Sequence, residues 1–282
     1  MTTTINAKPV VVGVDGSDQS LEALDWAVQE ASYHQRPLHI LFALSDSPYV
    51  EISRHAQRER AAEMLGRLAD RARDGGAILI TTACELEAPV DAILDASRGA
   101  DLVVVGSRGH TIVGGWLVGS VSMHVSRHAA SPVAVVRSQH DLAARRVVVG
   151  VDGSGPSEPA LGFAFEEAHR RGAPLLVIRS EEETVPLLGL GVAPVVFVEE
   201  EREVFERELA DQVAPWCEKY PDVAVSTDLR TGHATNVLTD ASLSAVLVVV
   251  GSRGRGGFSG ALMGSVSQGV LHHARCTVVV VR

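Results

Sequence analysis

The first half of the chain returns as the second half. Val11-Val12-Gly13-Val14-Asp15-Gly16-Ser17 recurs as Val148-Val149-Gly150-Val151-Asp152-Gly153-Ser154, an offset of 137 residues. Val103-Val104-Val105-Gly106-Ser107-Arg108-Gly109 recurs as Val248-Val249-Val250-Gly251-Ser252-Arg253-Gly254, an offset of 145, and Gly119-Ser120-Val121-Ser122 recurs as Gly264-Ser265-Val266-Ser267 at the same 145. A solenoid repeat runs to about 20–50 residues, so a period this long means a duplicated domain. The expected domains are residues 1–138 and 145–282, joined by the polar stretch Ser138-Gln139-His140-Asp141. The total of 282 residues fits two domains at roughly 100–200 residues each.

Within one copy, strand and helix patterns alternate. Val10–Val14 is an unbroken apolar run, as a parallel strand buried on both faces requires. Ser17 stands where a helix N-cap is wanted, with Leu21, Leu24 and Val28 as an apolar stripe behind it. Leu38–Leu44 reads as a second strand, Glu51–Arg73 as a long amphipathic helix with Ala61, Met64, Leu65 and Leu68 inward, and Ala77–Cys84 as a third strand. Val90–Ser97 reads as a helix, Leu102–Val105 as a strand, Gly119–His128 as a helix and Pro132–Val136 as a fifth strand. Such alternation predicts an α/β sheet with right-handed crossovers, whose ligands bind at the carboxyl ends of the strands where strand order reverses.

Composition narrows the function. Hydrophobic residues at 46% supply two cores and exclude intrinsic disorder. A net charge of −10 opposes any grip on a phosphate backbone, and 4% aromatics leave few stacking platforms, so no nucleic-acid partner is expected. No apolar run approaches the ~20 residues that cross a bilayer, so no membrane role is expected either. Met1–Lys8 lacks a basic start followed by an apolar stretch, and Cys84, Cys217 and Cys276 match no disulfide or metal spacing. Both features point to a cytoplasmic protein with reduced thiols.

The chemistry lies in Gly106-x2-Gly109-x9-Gly119-Ser120 and its copy Gly251-x2-Gly254-x9-Gly264-Ser265. Each begins as an apolar strand ends and closes by opening a helix. Glycines let backbone N–H groups approach a ligand, and a helix N-terminus carries about half a positive charge, which together make a phosphate cradle. A lone pattern of this kind can merely shape a loop. Two copies at identical spacing, each with its own Val-Asp-Gly-Ser upstream, argue for a site in each half.

These motifs resemble those of the universal stress protein family, in its tandem actinobacterial form and its ATP-binding branch. The resemblance covers about residues 8–137 and 145–282. It implies two Rossmann-like domains, each a five-stranded parallel sheet in the order 3-2-1-4-5 sandwiched by helices. It also implies a nucleotide-dependent stress regulator with two sites per chain, taking ATP with Mg²⁺, or cAMP in the same pocket as the alternative. Asp15 and Asp152 would contact the adenosine portion, and Val14, Ala43, Val151 and Ser180 would flank adenine. Gly106 and Gly251 would border ribose. Gly109, Gly119, Ser120, Val121 and Ser122, with Gly254, Gly264, Ser265, Val266 and Ser267, would hold phosphates. A further implication is an intramolecular pseudo-dimer through the fifth strands, and a homodimer of whole chains. The plain alternative for Asp15 and Asp152 is an acid that complements the following helix dipole.

Departures and absences bear on mechanism. Gly232 matches the family's glycine after strand 3, where the first copy has Glu87; His110-Thr111-Ile112-Val113 stands opposite Arg255-Gly256-Gly257-Phe258. The second loop should therefore be more mobile and more cationic. The chain has no Gly-Lys-[Ser/Thr] phosphate loop and no Gly-x-Gly-x-x-Gly after its first strand, against a P-loop hydrolase and an NAD enzyme. Arg108, Arg253 and Arg255 are loop cations that either approach phosphate or remain solvated. No residue stands out as a base for an attacking water, so hydrolysis should be slow or absent. His124 and His128, four apart, fit a helix C-terminal dipole better than a metal. Glu181-Glu182-Glu183 and Glu199–Glu203 read as solvated faces, and the apolar Val185–Val198 between them as packing, a lid or a partner surface.

Overall fold

The computed structural model describes residues 7–44, 54–109, 118–138, 141, 143–181, 199–255 and 263–282. The chain divides into two units, Met1–Ser138 and Gln139–Arg282. The expectation for Val185–Val198 lies outside the described residues, as do the interiors of both glycine loops, 110–117 and 256–262.

In the first unit the elements run β1 (Val10–Val14), α1 (Asp18–Tyr33), β2 (Leu38–Ala43), α2 (Arg54–Asp74), β3 (Ile80–Glu85), α3 (Pro89–Ser97), β4 (Leu102–Gly106), α4 (Ser120–His128) and β5 (Val133–Val136). All the strand pairs are parallel, in the order β3-β2-β1-β4-β5. The second unit repeats this with β6 (Arg146–Val151), α5 (Glu158–Arg171), β7 (Leu175–Glu181), α6 (Glu199–Lys219), β8 (Val225–Thr231), α7 (Ala234–Ala241), β9 (Ala245–Gly251), α8 (Ser265–His273) and β10 (Thr277–Val281). Its order is β8-β7-β6-β9-β10. The fold class is thus a tandem α/β one, and strand order reverses between β1 and β4, and again between β6 and β9.

The apolar runs make the central strands. Val10, Val11 and Val12 of β1 and Leu102, Val103 and Val104 of β4 are at most 1% exposed, and Val147, Val148 and Val149 of β6 are completely buried. Each such side chain contributes about 1.5–3 kcal/mol of transfer free energy, an upper estimate given residual burial in the unfolded chain. Helix α2, described from Arg54 onward, turns Ala61, Leu65, Leu68, Ala69 and Ala72 inward.

The third strand is displaced from the expected Ala77–Cys84. Gly76 takes φ +101, and the Ala77 N–H donates back to Ala72 O at 3.0 Å, so residues 76–77 still close α2. Ile78 and Leu79 follow as exposed connection, and the ladder with β2 starts at Ile80. An apolar run was legible there, but the helix exit consumed its first residues.

Candidate functional site

Each unit folds its Val-Asp-Gly-Ser motif into the same turn at the end of its first strand. Asp15 Oδ1 accepts the Ser17 N–H at 2.9 Å and the Ser17 hydroxyl at 2.6 Å. Gly16 makes the turn with φ +86, a conformation that a side chain at this position would oppose. Ser17 Oγ in turn accepts the Ser20 N–H at 3.2 Å, the N-cap of α1. In the second unit Asp152 Oδ1 accepts the Ser154 N–H at 3.0 Å and its hydroxyl at 2.5 Å, with Gly153 at φ +74. There a short 3-10 turn, Gly155–Ser157, stands between the motif and α5. In both units the serine fixes one carboxylate oxygen and turns the other toward the glycine loop.

The loop meets it. A β-carbon built on Gly109 would lie 2.5 Å from Asp15 Oδ2, and one on Gly254 would meet Asp152 Oδ2 in the same way. Motifs about ninety to a hundred residues apart in sequence therefore form one surface in each unit. In the second unit the Arg255 N–H also donates to Asp152 Oδ2 at 2.7 Å. Burial alone would raise the Asp152 carboxyl pKa, but the bonds from Ser154 and Arg255, with the Arg255 charge, outweigh it and hold the pKa below its ordinary value.

The loop is tied at both ends. Ser107 N–H donates to Val136 O, Gly119 N–H to Ser107 O, and Ser122 Oγ to Gly106 O at 2.6 Å. Ser252, Gly264 and Ser267 make the same three bonds to Val281 O, Ser252 O and Gly251 O. These ties hold the start of α4, and of α8, against the end of the neighbouring strand. They also sort the glycines. A β-carbon on Gly106 would stand 2.8 Å from Gln19 O, so the backbone of α1 alone demands glycine there. At Gly119 and Gly264 the nearest atoms to such a carbon lie at 3.5 Å and 3.6 Å, ordinary contact, with φ −66 and −72. Among the described residues, nothing requires glycine at these two positions.

The ties further divide the expected phosphate ligands. The N–H of Gly119 and the hydroxyl of Ser122 are already engaged within the loop, as are those of Gly264 and Ser267. What the helix start presents outward is its first turn of amides, Ser120, Val121 and Ser122, with no side-chain cap, and the exposed Ser120 hydroxyl. Ser265, Val266 and Ser267 repeat this in α8.

The strand ends complete the crevice. β1 pairs with β2 so that Val14 faces Phe42 and Ala43 follows; β6 pairs with β7 so that Val151 faces Arg179 and Ser180 follows. Ala43 and Ser180 thus occupy equivalent places, with the Ser180 hydroxyl donating to Gly232 O at 2.5 Å.

One part of the second site was not read from the sequence. Glu181, expected on a solvated face, has a side chain only 14% exposed and forms ion pairs with Arg179 and Arg255. The available signal was an arginine inside the apolar strand Leu175–Glu181, where the first copy has Phe42. His124 and His128 stack with ring centroids 4.2 Å apart on the exposed face of α4, away from these bonds.

Comparison with known proteins agrees with the duplication. A model described as the universal stress protein family matches residues 6–137 and again 143–282. A universal stress protein of Mycobacterium tuberculosis is 38% identical, the match covering 97% of this chain and 96% of that one. One from Mycolicibacterium smegmatis is 35% identical over the same shares. Among solved structures, a universal stress protein from Archaeoglobus fulgidus overlays with a TM-score of 0.71 at 21% identity, covering 98% of this chain and 96% of that chain. Its likeness is one of fold.

Proposed function

This chain belongs to the universal stress protein family, and from that premise we propose that it binds one adenine nucleotide in each unit and acts as a cytoplasmic, nucleotide-dependent regulator of the stress response. The reading is carried by one observation made twice. A serine-oriented aspartate is turned onto a loop glycine, beside an uncapped helix start whose own glycine has room that none of the described residues fills.

Each part has a role in that reading. The backbone around Val14 and Ala43, and around Val151 and Ser180, borders the adenine. Asp15 and Asp152 accept ribose hydroxyls with the oxygen that serine leaves outward. The phosphates lie against the bare surface at Gly109 and Gly119, and at Gly254 and Gly264, where they take N–H donors from the first turn of α4 or α8 and the hydroxyl of Ser120 or Ser265. Mg²⁺ travelling with ATP offsets part of its charge, which favours approach to a chain carrying −10. The chain contributes no Gly-Lys-[Ser/Thr] lysine to the β/γ-phosphates, so binding rather than turnover is the expected output.

Calorimetric titration of the full chain with MgATP tests this directly. The expected result is a stoichiometry near two; a plateau near one assigns the function to a single unit, and absence of heat with both ATP and cAMP overturns it.

A further inference from the structure

The second unit carries a charge network at the end of its crevice that the first unit's residue types do not repeat. Arg179 is buried in β7, its side chain 3% exposed. Its Nε donates to Glu181 Oε1 at 2.7 Å, its Nη1 to Glu208 Oε2 at 2.9 Å, and its guanidinium carbon lies 4.5 Å from the centroid of the Phe205 ring. The same Glu181 Oε1 accepts a second bond, from Arg255 Nη2 at 2.6 Å. Arg255 also gives its N–H to Asp152, so it bridges the glycine loop to the end of β7. Strand register puts Phe42 and Leu44 where Arg179 and Glu181 stand, and His110 takes the place of Arg255 in the loop.

We propose that Glu181 sets the second site's preference among adenine nucleotides by holding Arg255 in reserve for polyphosphate. The inference rests on the nucleotide reading above and adds which nucleotide the second site favours. In the resting arrangement the charge of Arg255 is neutralised by Glu181. A triphosphate carries several negative charges and several non-bridging oxygens within reach of a guanidinium fork, and so competes with one carboxylate for it. A cyclic monophosphate, with a single charge, competes poorly. The exchange is inexpensive for two reasons. Arg255 is the exposed partner, at 46%, so its pair with Glu181 is screened; and Glu181 keeps the buried Arg179 when Arg255 leaves. Arg179 therefore positions the carboxylate, and Arg255 is the part that moves.

The test uses the full chain carrying Gly119→Glu, which confines binding to the second site, titrated with MgATP and with cAMP at fixed salt. Adding Glu181→Gln should tighten ATP by roughly two- to fivefold, the range such an exposed ion pair is worth, and leave cAMP unchanged. Arg255→Ala should weaken ATP about tenfold, as loss of a charge-assisted bond does, and in its presence Glu181→Gln should have no further effect. If Glu181→Gln moves neither nucleotide, moves both equally, or still tightens ATP without Arg255, the proposal is overturned while the nucleotide reading stands. If the folded Gly119→Glu chain binds neither nucleotide, the reading of the second site falls and the proposal with it. Should Gly119→Glu not fold, the same series is read on the chain without that change, as the shift of its ATP and cAMP isotherms.

Discussion

Asp15 and Gly109 approach so closely that a β-carbon on the glycine would stand 2.5 Å from Asp15 Oδ2. The second unit reproduces the relation between Asp152 and Gly254. A strand-end carboxylate and a loop glycine are thus one device, built twice.

The first prediction follows from that contact. Gly109→Ala with Gly254→Ala should displace both carboxylates and weaken ATP about tenfold or more, the worth of one charge-assisted hydrogen bond per site. Fluorescent-nucleotide titration reads the loss. Unchanged affinity would mean that the aspartates do not touch the ligand.

Asp152 gives a pH prediction. Its carboxyl pKa is held below the ordinary 3.8 in the folded chain, against the opposing effect of burial. A depressed carboxyl contributes stability that is fully present above the unfolded value and is lost as pH falls through the folded one. Wild type should therefore exceed Asp152→Asn in stability by a constant margin between about pH 5 and 8, and the margin should shrink progressively as pH falls below about 4. Urea midpoints across that range measure it; a margin that does not shrink below about pH 4 contradicts the assignment.

Ser120 and Ser122 stand two residues apart and should behave oppositely. Ser122 is buried and ties the helix start to Gly106 O, as Ser267 ties to Gly251 O. Ser122→Ala or Ser267→Ala should cost about 0.5–1.5 kcal/mol of unfolding free energy, seen as a lower urea midpoint with unchanged slope. Ser120→Ala and Ser265→Ala remove exposed hydroxyls; they should leave stability within about 0.5 kcal/mol and weaken ATP instead. The reverse pattern would exchange the two roles.

Much of this was legible in the sequence because it rests on short, strong signals. Valine runs such as Val103–Val105 dictate buried parallel strands, and the repeated Gly-x2-Gly-x9-Gly-Ser marks both loops. Two things were not legible. The Ala77–Leu79 run reads as strand because apolarity says nothing about the helix exit at Gly76. Glu181 reads as solvated because its partners, Arg179 and Arg255, come from its own strand and from a loop seventy-four residues away. Pairing of that kind depends on which strand ends the topology brings together.

The central claim is that the bare backbone at Gly119 and Gly264 is kept for phosphate. Among the described residues both positions have room for a β-carbon, and their φ is one any residue adopts, so Gly119→Glu with Gly264→Glu should leave the fold intact, with an acidic group at each helix start agreeing with the dipole. The same carboxylates would fill and repel the phosphate's place. Loss of two charge-assisted bonds at about 1.5–3 kcal/mol each would turn a micromolar site into a millimolar one or worse. The deciding measurement is ATP titration of this double variant, with circular dichroism to establish that it is folded. A folded chain that no longer binds ATP is the predicted result, and a folded chain that binds ATP like the wild type contradicts the phosphate cradle.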